Sequence, residues 1–230
     1  MNAQPIDTVG APQAAYEYIK EEILSLRLGP NAKLNAIELA QQLQQSRTPV
    51  REALTRLEHE GLAYREVAGG FRVVSITVKE ILDTYKVREA LEVEAAHEAL
   101  PRLTDEMLDE FEAILKKSEV FLASQTYASF ILANRQFHAL IVRATGNAML
   151  EQLMAPIADR VRLVGAMLMR SRAARQREVL LENLAILAAL RTRDPMLVEE
   201  AVRAHVRVAS GHISKLLGSD HSCLSIVPHP

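Results

Sequence analysis

Between residues 39 and 62 the apolar positions Leu39, Leu43, Val50, Leu54, Leu57 and Leu62 keep helical spacing on both sides of a polar break at Gln44, Gln45 and Ser46. The pattern predicts two short helices joined by a turn, each with one face to bury. Ser46 is a good N-cap residue and Pro49 falls in the first turn, where its missing N–H has no intrahelical partner to lose. The second helix is therefore expected to start near Arg47. From Ala63 to Val74 two short β-prone runs flank Gly69-Gly70, a hairpin signal. A helix-turn-helix followed at once by a hairpin is a winged helix, expected here over residues 12–74 behind a flexible N-terminus, 1–11. After a linker at 75–77, where Thr77-Val78-Lys79-Glu80 has the form of a capping box, helical periodicity runs almost unbroken over 78–218. Breaks at Pro101, Gly146-Asn147, Arg170 to Arg177 and Asp194-Pro195 divide it into about six helices, near 78–100, 104–123, 126–145, 147–170, 175–192 and 195–217. Residues 219–230 have no period and are expected to be disordered. The fold class is thus mainly α: an N-terminal winged helix-turn-helix and an all-α bundle.

Chemistry enters through the second short helix. Arg47 and Thr48 stand at its N-terminal end and Arg51 one turn on, the end from which a recognition helix reaches base edges and phosphates. An Arg fork can bind guanine O6 and N7 in a bidentate manner. The competing reading is a solvated face with ordinary pairs of Arg47 or Arg51 to Glu52 or Glu58. The whole chain carries a formal net charge of -2, so any DNA affinity must be local, from the cluster Arg47, Arg51 and Arg56. No apolar run approaches a membrane span, and Met1 to Asp7 lacks the basic patch and apolar core of a signal peptide. A lone Cys223 excludes an internal disulfide framework and fits a reducing compartment. Together these predict a cytoplasmic protein.

The segments Ser46 to Leu54, Leu57 to Leu62 and the Gly69-Gly70-Phe71 wing, with Leu28-Gly29-Pro30 and Leu34 ahead of them, closely resemble the N-terminal domain of GntR-family transcription regulators. Tyr85 to Glu92, Asn134 to Leu140, Gly146-Asn147, Ile186 to Asp194 and Ala201 to His205 resemble the FCD effector-binding domain of the FadR subfamily, the helix count looking more like its VanR branch. The resemblance implies that Ser46, Arg47, Thr48 and Arg51 touch a double-stranded operator, with Gly70 of the wing entering the minor groove. It also implies a homodimer whose helical domain binds a small carboxylate metabolite. Two departures stand out. The turn that commonly reads Leu-Gly-Val-Ser is Leu43-Gln44-Gln45-Ser46, and Gln44 tolerates positive φ less well than glycine. An Arg common in the preceding helix is Ile37.

The effector-site residues can be placed by periodicity as well. Asn134 and His138 lie one turn apart, Asn183 falls in the stripe Val179, Leu180, Ile186 and Leu187, and His205 in the stripe Val198, Val202, Ala209 and Ile213. All four point toward a core, and buried polar groups need partners, so a polar cavity holding water, a ligand or a metal is expected. The competing reading is of hydrogen-bonded core residues. Arg88 follows Ile81 and Tyr85 on an apolar stripe and needs an anion, either Glu92 one turn on or a ligand carboxylate. The family's metal site, where present, uses an Asp and three His; its positions correspond to Asn134, His138, Asn183 and His205. Two ligands are therefore changed, and a neutral Asn oxygen is a poor zinc ligand. No metal is expected to bind tightly; zinc or nickel would meet at best a weakened site at His138 and His205. The expected function is a metabolite-responsive repressor, not an enzyme. The alternatives are a ligand-independent dimeric DNA binder and a metal-dependent enzyme, the latter lacking a plausible nucleophile and base.

Overall fold

The computed structural model of the chain describes residues 10–169 and 173–219. The expected disorder of the tail, most of the proposed flexible N-terminus, Cys223 and Arg170 to Arg172 lie outside the described residues. These form two compact units that part between Thr77 and Val78.

The first unit contains α1 (Ala11–Leu24), β1 (Lys33–Leu34), α2 (Ala36–Gln42), α3 (Arg47–His59), β2 (Ala63–Arg65) and β3 (Phe71–Val73). Its core is set by helical spacing: Ala15, Tyr16, Ile19 and Ile23 of α1 are buried together with Val50, Ala53, Leu54 and Leu57 of α3. At the edge of this packing Tyr16 donates its hydroxyl to Glu60, Lys20 Nζ lies 2.8 Å from Glu60 Oε2, and the Arg56 guanidinium stacks 3.6 Å from the Tyr16 ring centroid. Burial pushes the Glu60 carboxyl up, but the bonds from Lys20 and Tyr16 outweigh it and hold the group below its ordinary value. The sheet runs β1-β3-β2, all antiparallel, pairing Leu34 with Phe71 and Arg65 with Phe71. The hairpin expected from the sequence is therefore present. It is joined on its far side by β1, which periodicity does not predict, since two residues are too few to show alternation. Gly69 and Gly70 take φ of 85° and 101°, values that explain why glycines occupy the wing turn.

The turn between α2 and α3 is closed by Gln45 N–H donating to the Ala40 carbonyl at 2.9 Å. It carries Gln44 at φ 53°, so the glycine-preferring position is real and here is filled by a residue with a Cβ.

The second unit consists of α4 (Val78–Ala99), a short 3-10 turn at Leu100–Arg102, α5 (Asp105–Ala123), α6 (Tyr127–Ala144), α7 (Ala148–Met169), α8 (Ala173–Thr192) and α9 (Pro195–Ser219). The breaks act as the sequence predicts. Gly146 at φ 65° ends α6, Asn147 Oδ1 accepts from Leu150 N to open α7, and Asp194 Oδ1 accepts from Met196 N at 2.8 Å to open α9 with Pro195 at its first position. One break is shorter than the sequence predicts: α8 already starts at Ala173, so Arg175 and Arg177 lie on a helix. The core is built on Phe111, Phe130, Phe137, Leu108 and Leu115, with Phe111 meeting Phe137 edge-on at 6.1 Å. Among the described residues no helix is long and apolar enough to cross a membrane.

Candidate functional site

The exposed end of α3 carries the first site. Ser46 occupies the N-cap position with extended backbone, yet its side chain makes no capping hydrogen bond. Ser46, Arg47, Thr48 and Arg51 are all exposed. Among the described residues neither Arg47 nor Arg51 pairs with an acid, so the solvated-pair reading fails on geometry; Glu58 is taken by Arg65 at 3.1 Å. Arg56 behaves differently. Its guanidinium binds Gln13 and Glu60 and stacks on Tyr16, which makes it part of the packing between α1 and α3 and removes it from the local charge cluster. Gly70 sits exposed in the wing turn, and Ile37 is 52 % exposed on α2.

The second site lies inside the helical unit. Arg88 and Glu92, one turn apart on α4, are both buried, and Arg88 Nε donates to Glu92 Oε1 at 2.5 Å. The intrahelical partner considered for Arg88 is therefore the one it has. The other Glu92 oxygen lies 3.2 Å from His138 Nδ1 on α6. The His138 ring stacks on His205 of α9 with centroids 4.9 Å apart. His205 is held from both sides: Nε2 lies 3.1 Å from Arg88 Nη2 and Nδ1 lies 2.9 Å from Glu182 Oε2 on α8. Glu182 is in turn gripped by Arg175 through both guanidinium Nη atoms. Asn183 donates from Nδ2 to Asn134 Oδ1 at 2.6 Å.

Charges in this cluster balance one another. Burial raises the Glu92 carboxyl, but Arg88 and His138 more than reverse that and hold it well below the carboxylate range. Burial lowers His205 to about 4, despite the upward pull of Glu182, so the ring is neutral. A guanidinium only donates and a carboxylate only accepts, which fixes the His205 hydrogen on Nδ1 and its lone pair on Nε2. Arg88 with Glu92 and Arg175 with Glu182 make two neutral pairs.

A cavity of about 260 Å³ opens beside this cluster between α4, α6 and α7. Its polar lining comprises Arg88, Glu92, Asn134 and His138 beside the cluster together with Arg135, Glu151 and Arg162; Val142, Met154 and Val161 belong to its apolar wall. Pro156 lies inside α7, where it cannot donate a backbone hydrogen bond. Of the five residues proposed from sequence for ligand binding, Arg88, Asn134 and His138 line the cavity. Asn183 and His205 do not; they stand behind Asn134 and Arg88 and position them. Sequence reasoning missed Glu182 and Arg175, because a helix face predicts burial without naming the neighbour that meets it. Arg162 lines the cavity, whereas Arg143 is exposed away from it.

Glu92, His138 and His205 bring ligand-type atoms within 4.8 Å of one another. The donor set nevertheless does not fit a divalent ion. Both His205 nitrogens are engaged, Asn134 Oδ1 accepts from Asn183, and the Arg88 guanidinium already supplies the cation beside Glu92. What is left is one His138 nitrogen and an Asn oxygen.

Residues 12–73 match the model of the bacterial regulatory proteins of the gntR family, and residues 83–208 match the FCD domain model. The chain belongs to the GntR family of bacterial regulators. It is a DNA-binding transcriptional regulator with an FCD domain. It is 27% identical over 203 residues to YdhC of Bacillus subtilis, an HTH-type transcriptional regulator described as uncharacterized, covering 88% of this chain and 90% of that protein. It is 31% identical over 198 residues to a probable D-xylose utilization operon transcriptional repressor of Paenarthrobacter nicotinovorans, covering 83% of each. The solved structure of E. coli McbR/YncC shares the fold with a TM-score of 0.80 at 24% identity, over 90% of this chain and 98% of that one. Relatives in this family are regulators of transcription and not enzymes.

Proposed function

We propose that the protein is a cytoplasmic, metabolite-responsive repressor that binds a two-fold operator as a homodimer and releases it when the helical unit takes up a small organic acid. Ser46, Arg47, Thr48 and Arg51 read the major groove, and the wing brings Gly70 to the minor groove. Arg88, Asn134 and His138 contact the acid, while Asn183 and His205 hold them in place. The observation that supports the ligand reading is the cavity of about 260 Å³ whose lining includes the buried Arg88–Glu92 pair with Asn134 and His138. A purely structural bundle gains little from burying two charges there, since a buried ion pair seldom stabilises more than apolar residues of the same volume. The repressor sense is supported by the relative named for repression of a D-xylose utilization operon.

The test is an operator mobility-shift assay on the purified protein with and without a panel of carboxylic and sugar acids, read beside thermal shift. At least one compound should raise the melting temperature and weaken operator binding. If none changes either quantity, the protein is a ligand-independent DNA binder.

A further inference from the structure

Helix α8 is apolar on both sides. Val179, Leu180, Ile186, Leu187 and Leu190 are buried on its inner face, while Leu181, Leu184, Ala185 and Ala188 stand on its outer face, Leu181 at 61 % exposed and Leu184 at 40 %. A helix that is apolar all round is one that is covered all round. The neighbouring α5 shows the contrast, since its outward positions Glu106, Asp109, Glu110, Lys117 and Glu119 are charged. On α9, Val208 falls between His205 and His212, which meet Glu182 and Glu178, and so extends the exposed apolar strip along the seam with α8.

We infer that this strip is the contact between two copies of the chain, paired α8 to α8 antiparallel about a two-fold axis that passes between Leu184 and Ala185. The inference rests on the homodimer reading above and deepens it by assigning the surface and its register. A two-fold interface must be complementary to itself. In this register Leu184 lies against the second copy's Ala185 and Leu181 against its Ala188, so each leucine finds the space beside an alanine. The charges agree with it. Arg177, Leu184 and Arg191 follow one another at intervals of seven along one edge of the strip. At a rise of 1.5 Å per residue, Arg177 lies about 11 Å before the axis and Arg191 about 10 Å beyond it. Arg177 is exposed and pairs with no acid among the described residues. Arg191 holds Asp109 and Glu112 of α5, and the Asp109 side chain is still 70 % exposed. Antiparallel pairing therefore brings Arg177 over the second copy's Asp109. Parallel pairing would set Arg177 against Arg177. Stable dimers bury roughly 1,200–2,000 Å² in total, so the α8 strip is the centre of the contact, and the exposed Ala204 and Val208 of α9 belong to its margin.

Sedimentation equilibrium of the full-length protein over a range of concentrations tests the pairing. The expected result is a dimer whose dissociation constant rises by roughly a hundredfold or more in Leu184→Glu, which sets two carboxylates together at the axis. Leu132→Glu, at an exposed apolar position on α6, should leave that constant unchanged. Oxidative cross-linking then reads the register, in a Cys223→Ser background so that the introduced thiol is the only one. Leu184→Cys should form a disulfide between chains. Leu181→Cys alone should not, because its two copies lie about 10 Å apart along the helices, but it should do so when co-expressed with Ala188→Cys. If Leu184→Glu does not melt cooperatively, the cross-linking decides the matter. A dimer that survives Leu184→Glu, with no cross-link in Leu184→Cys, overturns the assigned face and leaves the homodimer reading in place. A cross-link in Leu181→Cys alone overturns the antiparallel register. A chain that stays monomeric at every concentration removes the homodimer reading and the inference with it, and leaves the strip to a different protein.

Discussion

Gln44 is held at φ 53°, a conformation that costs a residue with a Cβ roughly 1 kcal/mol or more. Gln44→Gly should therefore raise the urea midpoint of the winged-helix unit, by about 0.5–1 kcal/mol after the added freedom of the unfolded glycine is subtracted. A lower midpoint would mean that the Gln44 side chain contributes more than its backbone costs. At His205 the direction is set by burial. Its folded pKa of about 4 lies below the ordinary 6.5, so the unfolded chain binds the proton more readily. The stabilisation from keeping this ring neutral is present above about pH 6.5 and is lost as pH falls through the window down to about 4, on the order of 3 kcal/mol in all. Comparing urea stability of the native protein and His205→Gln between pH 7 and 4 isolates that component from the carboxylates. The difference between the two profiles should shrink as the pH falls; parallel profiles would show that His205 does not titrate there.

The two faces of α3 have different roles, and substitution should separate them. Arg56 is tied to α1 through Gln13, Glu60 and the Tyr16 ring, so Arg56→Ala should lower stability by about 1–2 kcal/mol and leave operator sequence preference unchanged. Arg47→Ala or Arg51→Ala should leave the melting temperature nearly unchanged while costing about 1–3 kcal/mol of discrimination between operator and mismatched DNA. Competition binding with single-base operator variants measures the second effect, and full specificity in both Arg variants would show that this end of α3 is not the reader. The same division explains what is legible in the sequence. Helices α4 to α9 can be placed to within a few residues because caps such as Asp194 and terminators such as Gly146 are local signals. Arg88 and Glu92 are legible as a pair because they share one helix. That Glu92 also faces His138, or that Arg175 and Glu182 hold His205, depends on how α4, α6, α8 and α9 meet, and no spacing along the chain encodes it. Strand β1 escapes notice for the same reason: Lys33 and Leu34 become a strand only through β3.

At the scale of the molecule, a chain with net charge -2 must bind DNA through local positive charge, and that makes affinity dependent on salt in a countable way. If Arg47 neutralises a phosphate as well as reading a base, Arg47→Ala should lower the slope of log affinity against log salt by about 1 for each phosphate left unneutralised. The proposed effector acts on the same quantity from the other unit, and linkage constrains how. A coupling of about 1–3 kcal/mol changes operator affinity roughly 5- to 150-fold, and operator must then change acid affinity by the same factor. Both ratios are measurable on one preparation: operator dissociation constants with saturating and zero acid, and acid dissociation constants with saturating and zero operator, at a single salt concentration. Equality of the two ratios is the expected outcome for an acid that binds the DNA-free arrangement more tightly. An acid that lowers operator affinity while operator leaves acid affinity untouched would be acting elsewhere, by competing at the DNA surface or aggregating the protein.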